Sequence, residues 1–479
     1  MSDVPLLEGP QPAEERPPPR GRPLLAWGVI LGVAALVVWS QQRRPVAEPV
    51  KESIHRLQPK ASEQLVLWTV GLKELGLPFS EEQARQQITP IDQGPYRQRL
   101  EAAILASELL GPREALDHLA RLKQAQQNDE QAPSAQEQRL WKSLWRLYTS
   151  YRERNYTGNV LSDEEKENLR DELGWSGELA LVPAQGPDEQ ARERVVGRAR
   201  RFVIGVVIAV VTALSLLLLG FVALVVLLVL LFNGKLQRGF VPGSPHGGIY
   251  AETFALWLVL FVGFTVLGAL LPSSRSHLVQ INLLQLLSLV ALAWPVWRGV
   301  PWNQVRLDAG LYGGCGPVRE AASGLVCYVA AVPLLLGGLI VMLVLMQLQK
   351  RLGGEGGEPT HPIVGLAGGD WWVRLQIVIA ASVAAPIIEE TMFRGVFYRH
   401  LREATRRWGF AASFLVSGLV NSFLFAAIHP QGLLAVPALM GLALGFTLAR
   451  EWRGTLVPCM IAHGLSNGLV TLLLFTALS

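Results

Sequence analysis

Three clusters of proton-carrying side chains stand out where the surrounding sequence is almost wholly apolar: Glu389 and Glu390 with Arg394, Phe425 with His429, and His463 with Asn467. Residues four apart share a helix face, so Glu390 faces Arg394, Phe425 faces His429 and His463 faces Asn467. Glu389 is turned about 100° from Glu390. One carboxylate is thus held as an ion pair, and the other has no cation on its own helix. Carboxylates in unlike surroundings suit general-base chemistry. Ionisable groups inside apolar spans cost about 2.5–3.5 kcal/mol each on insertion scales, so their clustering calls for a role. Pro386 removes a backbone donor and frees the carbonyl of Ser382, and a kink there would open the helix to the water that hydrolysis needs. A buried polar network that only fixes helix packing uses the same residue types, and that reading stands beside catalysis.

Composition says which elements hold these groups. The chain has 479 residues, 50% hydrophobic and 17% charged, which sets aside disorder, collagen and a disulfide scaffold. Residues 202–479 carry 16 of the 43 Lys+Arg and 10 of the 39 Asp+Glu, so this half is built for lipid and residues 1–201 for water. Leu24 to Ser40 is charge-free and reads as an uncleaved anchor, since Val38, Trp39 and Ser40 do not form a small-x-small cleavage site. Apolar runs at 202–232, 253–271, 278–297, 323–346, 371–393, 411–428, 432–449 and 456–478 predict further spans. The expected fold is all-α: a polytopic membrane helical bundle of about eight spans plus an N-terminal anchor helix, with a helical soluble insert. The expected order is a disordered proline-rich tail over 1–23, the anchor over 24–40, the soluble helical domain over 45–195 and the membrane domain over 202–479.

In the insert, Ser80 before Gln83 and Ser162 before Glu165 have capping-box spacing, and Gly111-Pro112 breaks two helices into a hairpin. The insert reads as a small helical domain or as a docking module for a protein partner. Arg399, Arg402, Arg406 and Arg407, together with Arg450 and Arg453, read as cytoplasmic loop residues, whereas the arginines before residue 202 argue for the reverse orientation. His400 reads as part of the same basic interfacial face, and Glu252 as an acid suited to a helix N-terminus. Trp294, Trp297, Trp302, Trp371 and Trp372 read as interfacial anchors. Asn421, about two turns before His429, is placed to line the same cavity. A net charge of +4 without a basic stripe excludes nucleic acid as a partner, and Cys315, Cys327 and Cys459 have neither disulfide nor CxxC spacing.

Taken in order, the Glu-Glu-x-x-x-Arg of 389–394, the Phe-x-x-x-His of 425–429 and the His-x-x-x-Asn of 463–467 resemble the three signature motifs of the CPBP family. This is the CAAX protease and bacteriocin-processing family, also called the abortive infection or type II CAAX prenyl endopeptidase family. The resemblance covers roughly residues 250–479. It implies a multi-pass protein of a bacterial plasma or inner membrane, an intramembrane endopeptidase that hydrolyses a peptide bond of a membrane-associated, CAAX-like protein or peptide. It further implies that Glu389 activates a water shared with His429, that Glu390 and Arg394 support them, and that His463 and Asn467 donate to the oxyanion. The label of metalloprotease attached to the family implies a divalent metal, Zn2+, held by Glu389, His429 and His463. A metal-free water uses the same residues, and no His-Glu-x-x-His helix is present. From other classes, a non-catalytic membrane scaffold or a bacteriocin-immunity type binding protein would use the cavity to hold a partner. A transporter would call for inverted repeats, which the sequence does not show.

Overall fold

The computed structural model describes residues 21–43, 62–77, 79–126, 133–156, 159–272, 276–353, 362–366 and 369–478, and among these every regular element is helical. The disordered tail expected over 1–23 falls outside the described residues up to residue 20. The chain divides into two compact units, one of Glu52–Ser215 and one of Met1–Lys51 with Leu216–Ser479.

In the unit Glu52–Ser215, a helix over 62–74 is followed by Glu81–Asp92, Tyr96–Leu110, Pro112–Gln126, Ala135–Arg152 and Asp163–Leu181, and then by the start of Glu189–Phe232. Their starts are written locally: Ser80, Ser134 and Ser162 each accept from the backbone N–H three residues on, and the Gln or Glu there reaches back, closing a capping box. The hairpin turns at Gly111, whose φ of 103° only glycine adopts without strain. Leu100, Leu105, Leu144, Leu147 and Trp175 form the dry centre. Across it Arg192 reaches Glu108 at 2.6 Å and Glu74 at 3.0 Å, and Lys73 meets Glu108 at 2.8 Å.

In the membrane unit and its leading helix, nine helices among the described residues are long and apolar enough to cross a bilayer. In chain order these spans are Pro23–Gln42, Glu189–Phe232, Gly247–Ala269, His277–Trp297, Pro317–Arg351, Trp371–Ala404, Arg406–Ala427, Leu433–Arg453 and Val457–Thr476. The protein is a multi-pass integral membrane protein.

The structure corrects the sequence expectations for the basic stretch, His400, Glu252 and Trp294. Most of the basic stretch after residue 398 is not a solvated loop: the sixth span continues to Ala404, and Arg399, His400 and Arg402 are buried, while Arg406 and Arg407 beyond it are exposed. Arg402 Nε donates to Glu451 Oε1 at 2.6 Å, and Arg399 Nε donates to the Asp308 carbonyl at 3.0 Å while facing Glu403 and the Asp308 carboxylate. Arg450, also expected in a loop, is buried and donates to the carbonyls of Arg394 and Asp308. Each buried guanidinium meets an acid or carbonyl from another segment, which a helix-by-helix reading does not reveal. His400 is held inside by Gly247 O at 2.8 Å from Nδ1 and by the Trp27 indole N–H, 3.0 Å from Nε2. Glu252 does more than suit a helix start: it accepts from Arg22 N at 2.6 Å, from Trp294 Nε1 at 2.9 Å and from Arg298, tying the first, third and fourth spans together. Trp294 is therefore an interhelical tie, whereas Trp297, Trp302 and Trp371 are exposed as interfacial anchors would be.

Candidate active site

The sixth span carries Glu389 and Glu390 on one short α-helical piece, Ala385–Glu390, bracketed by wide π-helical turns at Ala380–Ala384 and Thr391–Phe397. Such turns loosen the backbone ladder and recur at functional sites. The first lies just before Pro386, so the freedom expected from the missing proline N–H takes the form of a widened turn. Asn467 Nδ2 donates to the loosened carbonyl of Ala381 at 2.8 Å. The ninth span comes this near because it presents glycine: a Cβ on Gly464 would stand 2.6 Å from the carbonyl oxygen of Ser382.

Three spans converge on the Glu389 carboxylate. Its Oε2 lies 3.6 Å from His429 Nε2 and 3.9 Å from His463 Nε2, and Glu389 and His429 keep 16% and 17% of their side-chain surface open. Behind them the site is dry. Glu390 and Arg394 are fully enclosed, with Arg394 Nη1 donating to Glu390 Oε1 at 3.0 Å. His463 Nδ1 meets the same oxygen at 2.8 Å, and Arg394 Nη2 donates to Ala443 O at 3.0 Å. Phe425 fills the space between, 4.2 Å from the His429 ring and 5.9 Å from the His463 ring, with Arg394 lying 4.5 Å over its face. Phe446 stacks on His463 at 5.0 Å.

The outer partners set the ring tautomers. A carbonyl can only accept, so His429 Nδ1, bonded to Phe425 O, carries a proton, and Nε2 is the nitrogen turned toward Glu389. Glu390 Oε1 already accepts from Arg394, so His463 Nδ1 is a donor to it and His463 Nε2 is likewise turned toward Glu389. The separations from Glu389 exceed a direct hydrogen bond, and a small molecule lying to one side of the atoms can bridge them.

Of the sequence candidates, Glu389, Glu390, Arg394, His429 and His463 are brought together. Asn467, one turn from His463, spends its amide N–H on Ala381. As for a metal, no group of three or more His, Cys, Asp or Glu side chains among the described residues is arranged to hold one. Asn421 is buried with neither amide atom partnered. The acids Asp308 and Glu451 and the base Arg450, which hold the far end of the sixth span, carry no local sequence signal beyond being charges next to apolar runs.

Residues 370–469 match the family described as Type II CAAX prenyl endopeptidase Rce1-like. All six candidate site residues lie in that stretch, as do both π-helical turns. A curated relative, the membrane-embedded CAAX protease MroQ of Staphylococcus aureus (strain USA300), is 30% identical over 95 residues, which is 20% of this chain and 38% of that protein. The chain thus spans little more than a third of this relative's length. No solved structure matches.

Proposed function

We propose that this protein is an intramembrane endopeptidase that hydrolyses a peptide bond of a membrane-associated, CAAX-like protein or peptide. The observation that carries the reading is the placement of Glu389 Oε2 opposite two imidazole Nε2 atoms, at 3.6 and 3.9 Å, on an otherwise enclosed polar cluster. Glu389 and neutral His429 both present acceptors to the gap between them. With His429 in its neutral form, a water beside the pair donates one hydrogen bond to each and points an oxygen lone pair outward, the orientation a nucleophile needs.

The water oxygen adds to the substrate carbonyl carbon as its proton passes to Glu389. The carbonyl oxygen takes the negative charge, and the C–N bond then breaks as Glu389 returns the proton to the leaving amine. His463 Nε2, when it carries a proton, is a donor for the oxyanion in a site of low dielectric. Asn467 can join only by releasing Ala381 O, and its first task is holding the widened turn. Every step runs through the chain's own groups.

The test uses the purified chain in detergent with two quenched-fluorescent probes: a peptide ending in a farnesylated CAAX box, and an apolar peptide of about 20 residues without a prenyl group. Cleavage of either probe by wild type, lost in a folded Glu389→Gln variant, supports the reading. Equal behaviour of the two proteins overturns it in favour of a scaffold or immunity-type binding protein. A chelator arm shows whether a divalent metal takes part.

A further inference from the structure

The first span lies outside the matched residues, yet it reaches the active site. Gln41 Nε2, at the last residues of that span, donates to the carbonyl of Ile428 at 3.0 Å. That carbonyl belongs to the peptide bond leading into His429. The seventh span's helix ends at Ala427, and while the local backbone serves the carbonyls of Leu424, Ala426 and His429, that of Ile428 depends on a donor from elsewhere. One turn back along the first span, Val38 packs against Ala426, Ala427 and Val436 on either side of the His429 turn. At its other end the span is docked by Trp27 on His400 and by Ala26, Ile30 and Ala34 in the core shared with the third span.

The chemistry of Gln41 argues against docking alone. Its Oε1 is buried without a partner. An apolar side chain of the same size would seat the span without burying an amide oxygen, but it would leave the Ile428 carbonyl without its donor. The residue suits the carbonyl of the His429 turn better than it suits docking.

We infer that Gln41 is a positioning residue for the reaction, holding His429 through the Ile428 carbonyl, and that the N-terminal span is thereby a working wall of the active site. This rests on the protease reading above. The experiment uses the full chain in detergent with the same two probes, comparing Gln41→Leu, Gln41→Glu and, as a docking control at the far end of the span, Trp27→Phe. Hydrogen exchange of the 424–433 backbone is measured alongside. Gln41→Leu is expected to lower kcat roughly five- to tenfold with KM within about twofold and an unfolding midpoint close to wild type, because the unpaired Oε1 is removed as the Ile428 carbonyl loses its donor. Gln41→Glu, which sets a carboxylate against the carbonyl, is expected to be at least as slow. Both should speed exchange at 424–433, and Trp27→Phe should leave kcat within about twofold and exchange there unchanged. Unchanged kcat in folded Gln41→Leu, or an equal loss in Trp27→Phe, overturns the inference. If wild type cleaves neither probe, the protease reading fails by itself, and unchanged exchange at 424–433 in Gln41→Leu would then refute the positioning role separately.

Discussion

His463 Nδ1 stands 2.8 Å from Glu390 Oε1, an oxygen that also accepts from Arg394 at 3.0 Å. The ninth span's imidazole is thereby locked to the sixth span's carboxylate, and its second nitrogen can point only toward Glu389. The two adjacent glutamates divide the work by the 100° or so between them on the helix. Glu390 looks inward to the guanidinium and the imidazole, and Glu389 looks to the partly open face.

Removing Glu390 leaves a fully enclosed guanidinium without its counter-ion. Glu390→Ala is expected to destabilise the membrane unit by about 3–5 kcal/mol, read from denaturant unfolding in detergent. Glu390→Met combined with Arg394→Met should recover most of that loss, because the buried charges then leave together, while activity stays absent.

Gly464 is where the ninth span touches the widened turn. A methyl group there meets Ser382 O at 2.6 Å, and backbone cannot give way as a side chain can. Gly464→Ala should push the two spans apart, and since a displacement of about 1 Å can cost roughly a hundredfold in rate, its kcat is expected to fall by that order while the protein still folds. Full activity in Gly464→Ala would show that the close approach is not needed.

Much of the site was legible in the sequence because its signals are local. Glu389, Glu390 and Arg394 sit on one helical turn, and His429 and His463 are rare polar groups in apolar runs, so spacing alone puts each on a face. What spacing cannot supply is the third dimension. Arg399 and Arg402 read as loop cations because their acids, Asp308, Glu403 and Glu451, come from other segments or lie outside the obvious motifs, and Arg450 because its acceptors are the distant carbonyls of Arg394 and Asp308. Asn467 shares a face with His463, but the loosened carbonyl of Ala381 competes for its amide, and π-helical turns have no sequence signature to announce them. Gln41 was invisible for the same reason, since its partner is a backbone carbonyl 387 residues away.

In the unit Glu52–Ser215, Glu101 has 1% of its side chain exposed, and burial pushes its carboxyl up to about 7 from the ordinary 4.5. Its folded value lies above its unfolded one, so the folded state binds the extra proton. That stability is fully present below about pH 4.5 and is lost as pH rises through about 7, by an amount on the order of a few kcal/mol. Protection factors in the helix Tyr96–Leu110, with the intrinsic pH dependence of exchange divided out, should therefore be higher at mildly acidic than at mildly alkaline pH. Glu101→Gln should flatten that dependence and protect the helix on the alkaline side.

The most direct test of the account is a double-mutant cycle on kcat for Glu389→Gln, His429→Gln and the pair, measured on whichever probe the wild type cleaves. If the two side chains hold one water between them, each single change removes the same nucleophile. Each should then cost roughly 10²–10⁴-fold, and the double variant should be little worse than either single one. Losses that multiply in the double variant would mean that Glu389 and His429 act apart, and that result would contradict the shared-water site.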